Sequence, residues 1–395
     1  GPLGRTVLIE SPNHTHGITV TKDGVTVAKS IDLEDPVENL AVRMMKEAAE
    51  RTATSAGDGT TTAIVLTESL VKEGMQLLKR EDNVNTTQLI RDINKLSEKV
   101  IETLDKTSKK VTGKTLKDVA TISANNDPDI GKMISSAYKD LGKDGVLTVE
   151  NSKTEQTYYD ITKGIKIDRG YTSKLFIGNC AQNVVNTLAA NVVQNNLKLC
   201  NIIPPSFGYK TNELLSDIAL STGAKYFSES LGDNLGSLTM EDLGHANKII
   251  IGIYVGGNSD IEQKEKFDRV EDAVCAVRSA VEEGILPGGG LALLRCAESL
   301  GEGWAADILY GALIAPLEQI LINAGENVKE VRDIICECAD VPYNHGYDVK
   351  NKKYGDMYAM GIIDPAKVTK NALRNAVSVA TTILSTNAIV TMKRN

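Results

Sequence analysis

No stretch of this chain approaches the roughly 18 uninterrupted apolar residues of a membrane span, and no leader pattern opens it, so a bilayer is not an expected partner. No basic block offsets the formal charge of −8 and the pI near 5.3, which argues against nucleic acid as the main partner. Paired cysteine ligands are missing too. Cys180, Cys200, Cys275, Cys296, Cys336 and Cys338 are scattered, mostly in apolar helical contexts, and read as buried reduced thiols. Cys336-Glu337-Cys338 has no second pair to complete a zinc site, and His14, His16, His245 and His345 form no H-x-x-x-H. There is no G-x-x-x-x-G-K-[ST] loop and no fixed-period repeat. What remains is 395 residues, 42% apolar and 24% charged, the balance of a globular cytosolic or organelle-matrix protein of two or three domains.

The chain is organised around Gly57-Asp58-Gly59-Thr60-Thr61-Thr62, between two helical patterns. Two glycines let consecutive N–H groups turn into one concavity, and the following helix adds its positive end, so the loop suits an anion. Asp58 is a hard oxygen ligand fit for Mg²⁺, and the threonine hydroxyls are further donors. An ordinary connection into a helix is the alternative on this motif alone.

Taken in order, Thr6–Ile9 is strand-like, and Gly17–Val20 and Val25–Val27 flank Lys22-Asp23-Gly24, the pattern of a hairpin with Asp23 at its tip. A helix begins at Asp35-Pro36 with Val37, Leu40, Ala41, Met44 and Ala48 as its apolar stripe. The next, from about Thr61 to Lys79, is apolar nearly all round at its start, which makes it a central element. A third carries Leu89, Ile93, Leu96, Val100 and Leu104. Helices before Ile122 and from Ile130 to Leu141 precede strand Val146–Val149. Strand-like sequence continues to about Phe176, helical sequence comes after it at Val184–Leu197 and Thr211–Thr222, and Lys248–Tyr254 is a buried strand. From Asp268 helices return. Val270, Ala273, Val274, Val277 and Val281 form one stripe, and Asp272 lies about 200° around from Val270, off the core face. Pro287-Gly288-Gly289-Gly290 opens a helix and is either a second phosphate or ribose approach or a tight connection. Helices at Leu291–Leu300, Ile308–Asn323, Val328–Cys338 and from Val368 to about Asn387 complete the chain. Helical ends bracketing a mixed α/β middle suggest one discontinuous domain with an insertion.

Eight blocks then coincide with one family in order. They are Gly1-Pro2-x-Gly4-Arg5, Thr19-x-Thr21-Lys22-Asp23-Gly24-Val25, Ala56–Thr62, Thr121–Asn125, Ile167–Tyr171, Arg269–Ala273, Ala280–Gly284 with Gly288–Gly290, and Gly361–Pro365 with Lys367–Thr369. On these blocks the chain resembles a bacterial-type (group I) chaperonin, and divergence elsewhere, as in the Asn-rich stretch Asn191–Asn201, points to an organellar, viral or otherwise atypical member. The resemblance implies a multidomain fold: a mainly α-helical discontinuous equatorial ATPase domain (1–105 and 283–395), a small α/β intermediate hinge domain (106–162 and 251–282) and an α/β apical polypeptide-binding domain (163–250). It implies an ATP-dependent chaperone working as a homo-oligomeric ring, heptameric, in one or two rings, with a co-chaperonin as a candidate partner. The same resemblance leaves the cytoplasm, an organelle matrix or an infected host's cytoplasm as locations.

Residue by residue, the resemblance assigns Mg²⁺ to Asp58, phosphates to Gly59, Thr60, Thr61 and Thr62, and nucleotide contacts to Gly1 and Pro2. It puts Lys22 and Asp23 beside the phosphates, with the Lys22 carbonyl on K⁺ and Asp23 among the catalytic groups. Gly288, Gly289, Ile362 and Asp364 meet ribose and base, and Asp272 is the catalytic carboxylate, swung in by the hinge. Unfolded polypeptide falls to Tyr171, Leu175, Phe176, Val185, Leu188 and Val192, for which ordinary apical core is the alternative. The family's adenine-side Asn-Ala-Ala is Asp348-Val349-Lys350 here, which leaves that base contact open. Against the family, an N-terminal segment, a Gly/Met-rich tail and sequence near Asn179–Ala181 and Ile251–Ile253 are absent, through omission or true deletion. One of two apical groove helices goes with them.

Overall fold

The computed structural model describes residues 6–10, 18–21, 23–141, 146–163, 216, 219–220, 225–226 and 249–391. Its chain divides into two compact units, one of residues 1–140, 149–159 and 253–395 and a second of residues 141–148 and 160–252. Most of the second unit lies outside the described residues, among them Tyr171, Leu175, Phe176, Val185, Leu188 and Val192 and the helices expected at Val184–Leu197 and over most of Thr211–Thr222. Gly1, Pro2, Lys22, Cys180, Cys200, His14, His16 and His245 also lie outside them.

The first unit opens with β1 (Val7–Glu10) paired antiparallel to β2 (Ile18–Thr21). The hairpin expected around Asp23 is not formed. Gly24–Ser30 is helix α1, and Asp23 is its N-cap, accepting from Val25 N at 3.0 Å and Thr26 N at 2.8 Å. An Asp just before a helix satisfies orphan N–H groups, and here that preference outweighs the Asp-Gly turn signal.

Helix α2 (Pro36–Ala56) starts with the same chemistry, Asp35 capping Val37 N at 2.7 Å, and ends at Gly57, which takes a left-handed φ of 74°. Its stripe differs from expectation. Val37 and Ala41 are exposed, while Asn39 is buried and holds Leu33 N and the Asp32 carboxylate; the other buried positions, Ala48, Ala49, Thr52 and Ala56, all lie in the second half of the helix. Helix α3 (Thr60–Arg80) is the central element, with Ala63, Leu66, Leu70 and Leu77 in the main core. Helix α4 (Thr86–Thr107) buries Leu89, Ile93, Val100 and Leu104 at its helical spacing, with Leu96 packed at the edge of the same core.

Helices α5 (Gly113–Ser123) and α6 (Pro128–Leu141) come next, joined through Asn125 and Asn126, both at left-handed φ (61° and 63°). Asn tolerates that region better than any other residue with a side chain save its close relatives. Strands β3 (Val146–Asn151), β4 (Tyr158–Lys163) and β5 (Ile249–Val255) form a sheet in the order β3-β5-β4.

Helix α7 (Asp260–Glu283) packs on α5 and the last helix. Its buried face runs through Val270, Ala273, Val274, Ala276, Val277, Ser279 and Ala280, and Val281 is 54% exposed, contrary to the expected stripe. Small residues make the difference: Ser279 comes close enough to the end of α2 to bond Ala56 O at 3.0 Å. Strand β6 (Ile285–Pro287) pairs antiparallel with β9 (Ile363–Pro365), which sequence periodicity missed because each is three residues long.

Helix α8 (Leu291–Ala297) is buried throughout. Helix α9 (Trp304–Asn323) is long and apolar enough by length and composition to cross a bilayer, yet half of that window is buried in the protein, where Leu309, Ala312 and Leu313 join the core of α3 and α4. Helix α10 (Val328–Asp340), the hairpin of β7 (His345–Asp348) and β8 (Lys353–Asp356), and helix α11 (Ala366–Ser385) complete the unit. Cys336 on α10 is exposed rather than buried, whereas Cys296 and Cys338 are buried. Arg295 ties α8 to the end of α10 through carbonyls of Ala339, Val341 and Pro342 at 2.7–3.0 Å.

Candidate functional site

The end of α2 and the start of α3 meet at Gly57-Asp58-Gly59, where both glycines are left-handed (φ 74° and 85°). A side chain at Gly57 would run into Cys275 of α7, and one at Gly59 into Val368 of α11, so glycine is required twice over. Because Gly59 is the N-cap of α3 and brings no side chain, the first N–H groups of that helix keep no side-chain acceptor. They open on a cavity of about 800 Å³, within the range that holds nucleotide-sized ligands.

That cavity lies within the first unit and gathers most of the residues nominated for catalysis and nucleotide binding. Asp23, Asp58, Gly59, Thr60, Thr61, Thr62, Asp272, Gly289, Ile362 and Asp364 all line it. Gly288 is buried immediately behind, its N–H on Ile362 O at 2.9 Å. The β6–β9 pairing is what brings the glycine turn and the Ile362–Asp364 segment side by side. Asp23 reaches the wall with both carboxylate oxygens engaged by its own helix, one of them also accepting from the Thr26 hydroxyl at 2.7 Å.

The electrostatics of the cavity are those of crowded acids. Asp58 accepts from Gly59 N and, on its other oxygen, from the Ser123 hydroxyl at 3.2 Å; burial nevertheless holds its carboxyl above the usual range. Asp272 is pushed up to about 9, first by burial and then by Asp58, Asp23, Asp268 and Glu271. Asp364 is pushed up to about 6 by burial and by Asp58. Burial also raises Asp268, one helical turn before Asp272. Carboxyls sharing one low-dielectric space keep their protons unless positive charge stands beside them.

The donor set fits a hard divalent ion only in part. No cluster of three or more His, Cys, Asp or Glu side chains arranged for a metal occurs among the described residues. Mg²⁺ typically takes one or two carboxylates and completes its shell with water and phosphate oxygens, and Asp58 beside an uncapped helix start suits that division.

Sequence reasoning left several wall residues without a role. Ser123 sat in plain view inside Thr121–Asn125, but nothing in its spacing points across to Asp58. Asp118 on α5 also lines the cavity, with a buried carboxylate oxygen that accepts no hydrogen bond. Asp348, standing where a base contact was open, spends Oδ1 on Lys350 N and Asn351 N and Oδ2 on the Asn351 amide at 2.6 Å. It lines the cavity along with Tyr347, Val349 and Lys350, with both carboxylate oxygens engaged inside the β7–β8 turn.

Fold and cavity together define a mostly helical protein with an acidic cavity at the start of its central helix. The profile of the TCP-1/cpn60 chaperonin family matches the chain over residues 1–198 and 180–394. The chain belongs to that family, whose members serve protein folding, bind unfolded polypeptide, form rings and are in general ATPases.

Proposed function

We propose that this protein is a group I-type chaperonin subunit that binds ATP with Mg²⁺ in the acidic cavity and uses its hydrolysis to fold polypeptide in a ring. The observation that carries the reading is the convergence of Asp58, Asp272 and the uncapped start of α3 on one cavity of nucleotide size. In this reading the N–H groups of Thr60, Thr61 and Thr62 hold phosphate oxygens and Asp58 holds the metal. Gly288, Gly289, Ile362 and Asp364 surround ribose and base. Bound Mg²⁺ supplies the positive charge that offsets the crowded carboxyls.

Asp272 orients and polarises the attacking water, for which it must be ionised; burial first, and then its acidic neighbours, push its carboxyl up to about 9 when the cavity holds no cation. The pKa of Asp272 therefore falls when positive charge arrives, which links its readiness to occupancy of the cavity. K⁺ at the Lys22 carbonyl, the polypeptide site at Tyr171, Leu175, Phe176, Val185, Leu188 and Val192, a heptameric ring and a co-chaperonin belong to this proposal through the family resemblance. Hinge motion of α7 would carry the signal between domains.

The test is refolding of a chemically denatured client protein with and without ATP, combined with electron microscopy of the assembly. ATP-dependent recovery of client activity by a seven-membered ring supports the proposal. Suppression of aggregation without ATP dependence identifies a holdase or scaffold with weakened coupling instead.

A further inference from the structure

Hydroxyl side chains inside helices often turn back to a carbonyl one turn earlier in their own helix. This chain follows the rule repeatedly: Thr52 bonds Ala48 O, Thr67 bonds Ala63 O and Thr121 bonds Lys117 O, at 2.7–2.8 Å. Ser123, the last residue of α5, breaks it. Its hydroxyl donates instead to Asp58 Oδ2 at 3.2 Å, across 65 residues of sequence.

The backbone around Ser123 holds it in place. Just beyond it Asn125 and Asn126 take left-handed conformations, and Asn126 N closes on Thr121 O at 2.8 Å, so α5 stops at the serine, with Ala124 as its C-cap. The other Asp58 oxygen is held by Gly59 N. Each carboxylate oxygen thus has one fixed donor and keeps a further lone pair.

We infer that Ser123 is a positioning residue, holding the Asp58 carboxylate in the orientation in which it takes a divalent cation with the nucleotide. This rests on the cavity being the metal–nucleotide site. Partners that orient a metal-binding carboxylate are worth about 10- to 100-fold in metal affinity when removed. Ser123 lies on α5 while Asp58 lies between α2 and α3, so the bond also makes the carboxylate's aim depend on where α5 stands.

The experiment is an electron paramagnetic resonance titration of Mn²⁺ into the full chain saturated with ADP, comparing wild type, Ser123→Ala, Ser123→Thr, Ser123→Val and Asp58→Asn. Thr and Val differ by a hydroxyl against a methyl, which keeps the comparison sound if the alanine variant fails to fold. The expected result is Mn²⁺ affinity near wild type in Ser123→Thr and weaker by about tenfold or more in Ser123→Val and Ser123→Ala. ADP binding in EDTA and the thermal unfolding temperature stay together across the three serine variants. Equal Mn²⁺ affinity in the Thr and Val variants, with Asp58→Asn still impaired, overturns the role of Ser123 and leaves the metal site standing. Absence of nucleotide-dependent Mn²⁺ binding in the wild type overturns both.

Discussion

Two glycine turns enter two core-forming helices of the same unit, and they are built alike up to a point. Gly59 before α3 and Gly290 before α8 are both left-handed N-caps (φ 85° and 81°) without a side-chain cap. The residues they lead into differ. Beyond Gly59 come three hydroxyl residues on a 21-residue helix, with Asp58 on the near side. Beyond Gly290 come only Leu291, Ala292, Leu293 and Leu294, on a seven-residue helix pinned against Leu317. The same backbone device offers a charged, polar mouth in one place and a dry wall in the other. Exposed helix N–H groups suit an anion only where polar partners stand beside them, so glycines alone do not mark a phosphate site.

The largest expected effect lies on the charged side. Asp272→Ala should lower the rate of ATP hydrolysis by about 10²- to 10⁴-fold, the usual contribution of a positioned acid–base group, with ATP affinity changed only a few-fold. Steady-state phosphate release alongside equilibrium nucleotide binding checks it, and ordinary turnover removes Asp272 from the chemistry.

Next comes a direct contrast of the two turns. Alanine at Gly59 must adopt left-handed backbone and place Cβ 2.5 Å from Val368 Cγ1, so Gly59→Ala should lose well over about 1 kcal/mol of stability and most nucleotide affinity. Gly289 is left-handed too (φ 67°), but alanine there meets only the flexible end of Met357 at 3.2 Å and Ile362 Cγ2 at an ordinary 3.8 Å, so Gly289→Ala should cost about 1 kcal/mol and leave nucleotide affinity within about tenfold. Denaturant melts and nucleotide titrations rank the pair; equal losses of affinity erase the distinction drawn between them.

A subtler effect concerns pH. The folded chain holds the Asp272 proton up to about pH 9, whereas an unfolded Asp releases it near its ordinary value of 3.8. Between those values the native state binds more protons than the unfolded one, so this group's contribution makes the ligand-free protein lose stability as pH rises. Asp272→Asn removes that penalty. Its thermal midpoint should exceed wild type by at least about 2 °C at pH 8 and by less at pH 5. A gap that widens towards acid contradicts the crowding of carboxyls around Asp272.

The smallest effect belongs to Asp348. Asp348→Asn keeps an acceptor for Lys350 N and Asn351 N, so it should shift stability by less than about 1 kcal/mol and leave nucleotide affinity intact. A large loss of affinity would return Asp348 to the ligand.

Helix periodicity makes α3, α4, α9 and α11 legible, because each carries several turns of a repeated apolar face and the signal accumulates with length. The Gly57–Thr62 loop is legible for another reason: glycines, a carboxylate and hydroxyls occur together in consecutive positions. Short features escape. The three-residue strands β6 and β9 carry no period, yet their pairing sets Gly288 against Ile362. Asp23 misleads because Asp-Gly serves both turns and helix starts, and only the β1–β2 pairing decides between them. Val281 and Val37 show the limit of stripes, since a helix can turn a face of alanine and serine inward where close approach is worth more than bulk. Ser123 on Asp58 is a contact between distant segments, and no local pattern encodes it.

A metal–nucleotide held in one cavity between Asp58 and Asp272 is the condition for all of these effects on hydrolysis and affinity. Cryo-electron microscopy of the Asp272→Ala protein incubated with ATP and Mg²⁺ addresses it without intermediaries. The expected map shows an intact triphosphate lying against the backbone N–H groups of Thr60–Thr62, with the metal on the Asp58 carboxylate and the base beside Ile362. A nucleotide bound elsewhere, or a cavity that stays free of it at saturating ATP, would overturn the assignment.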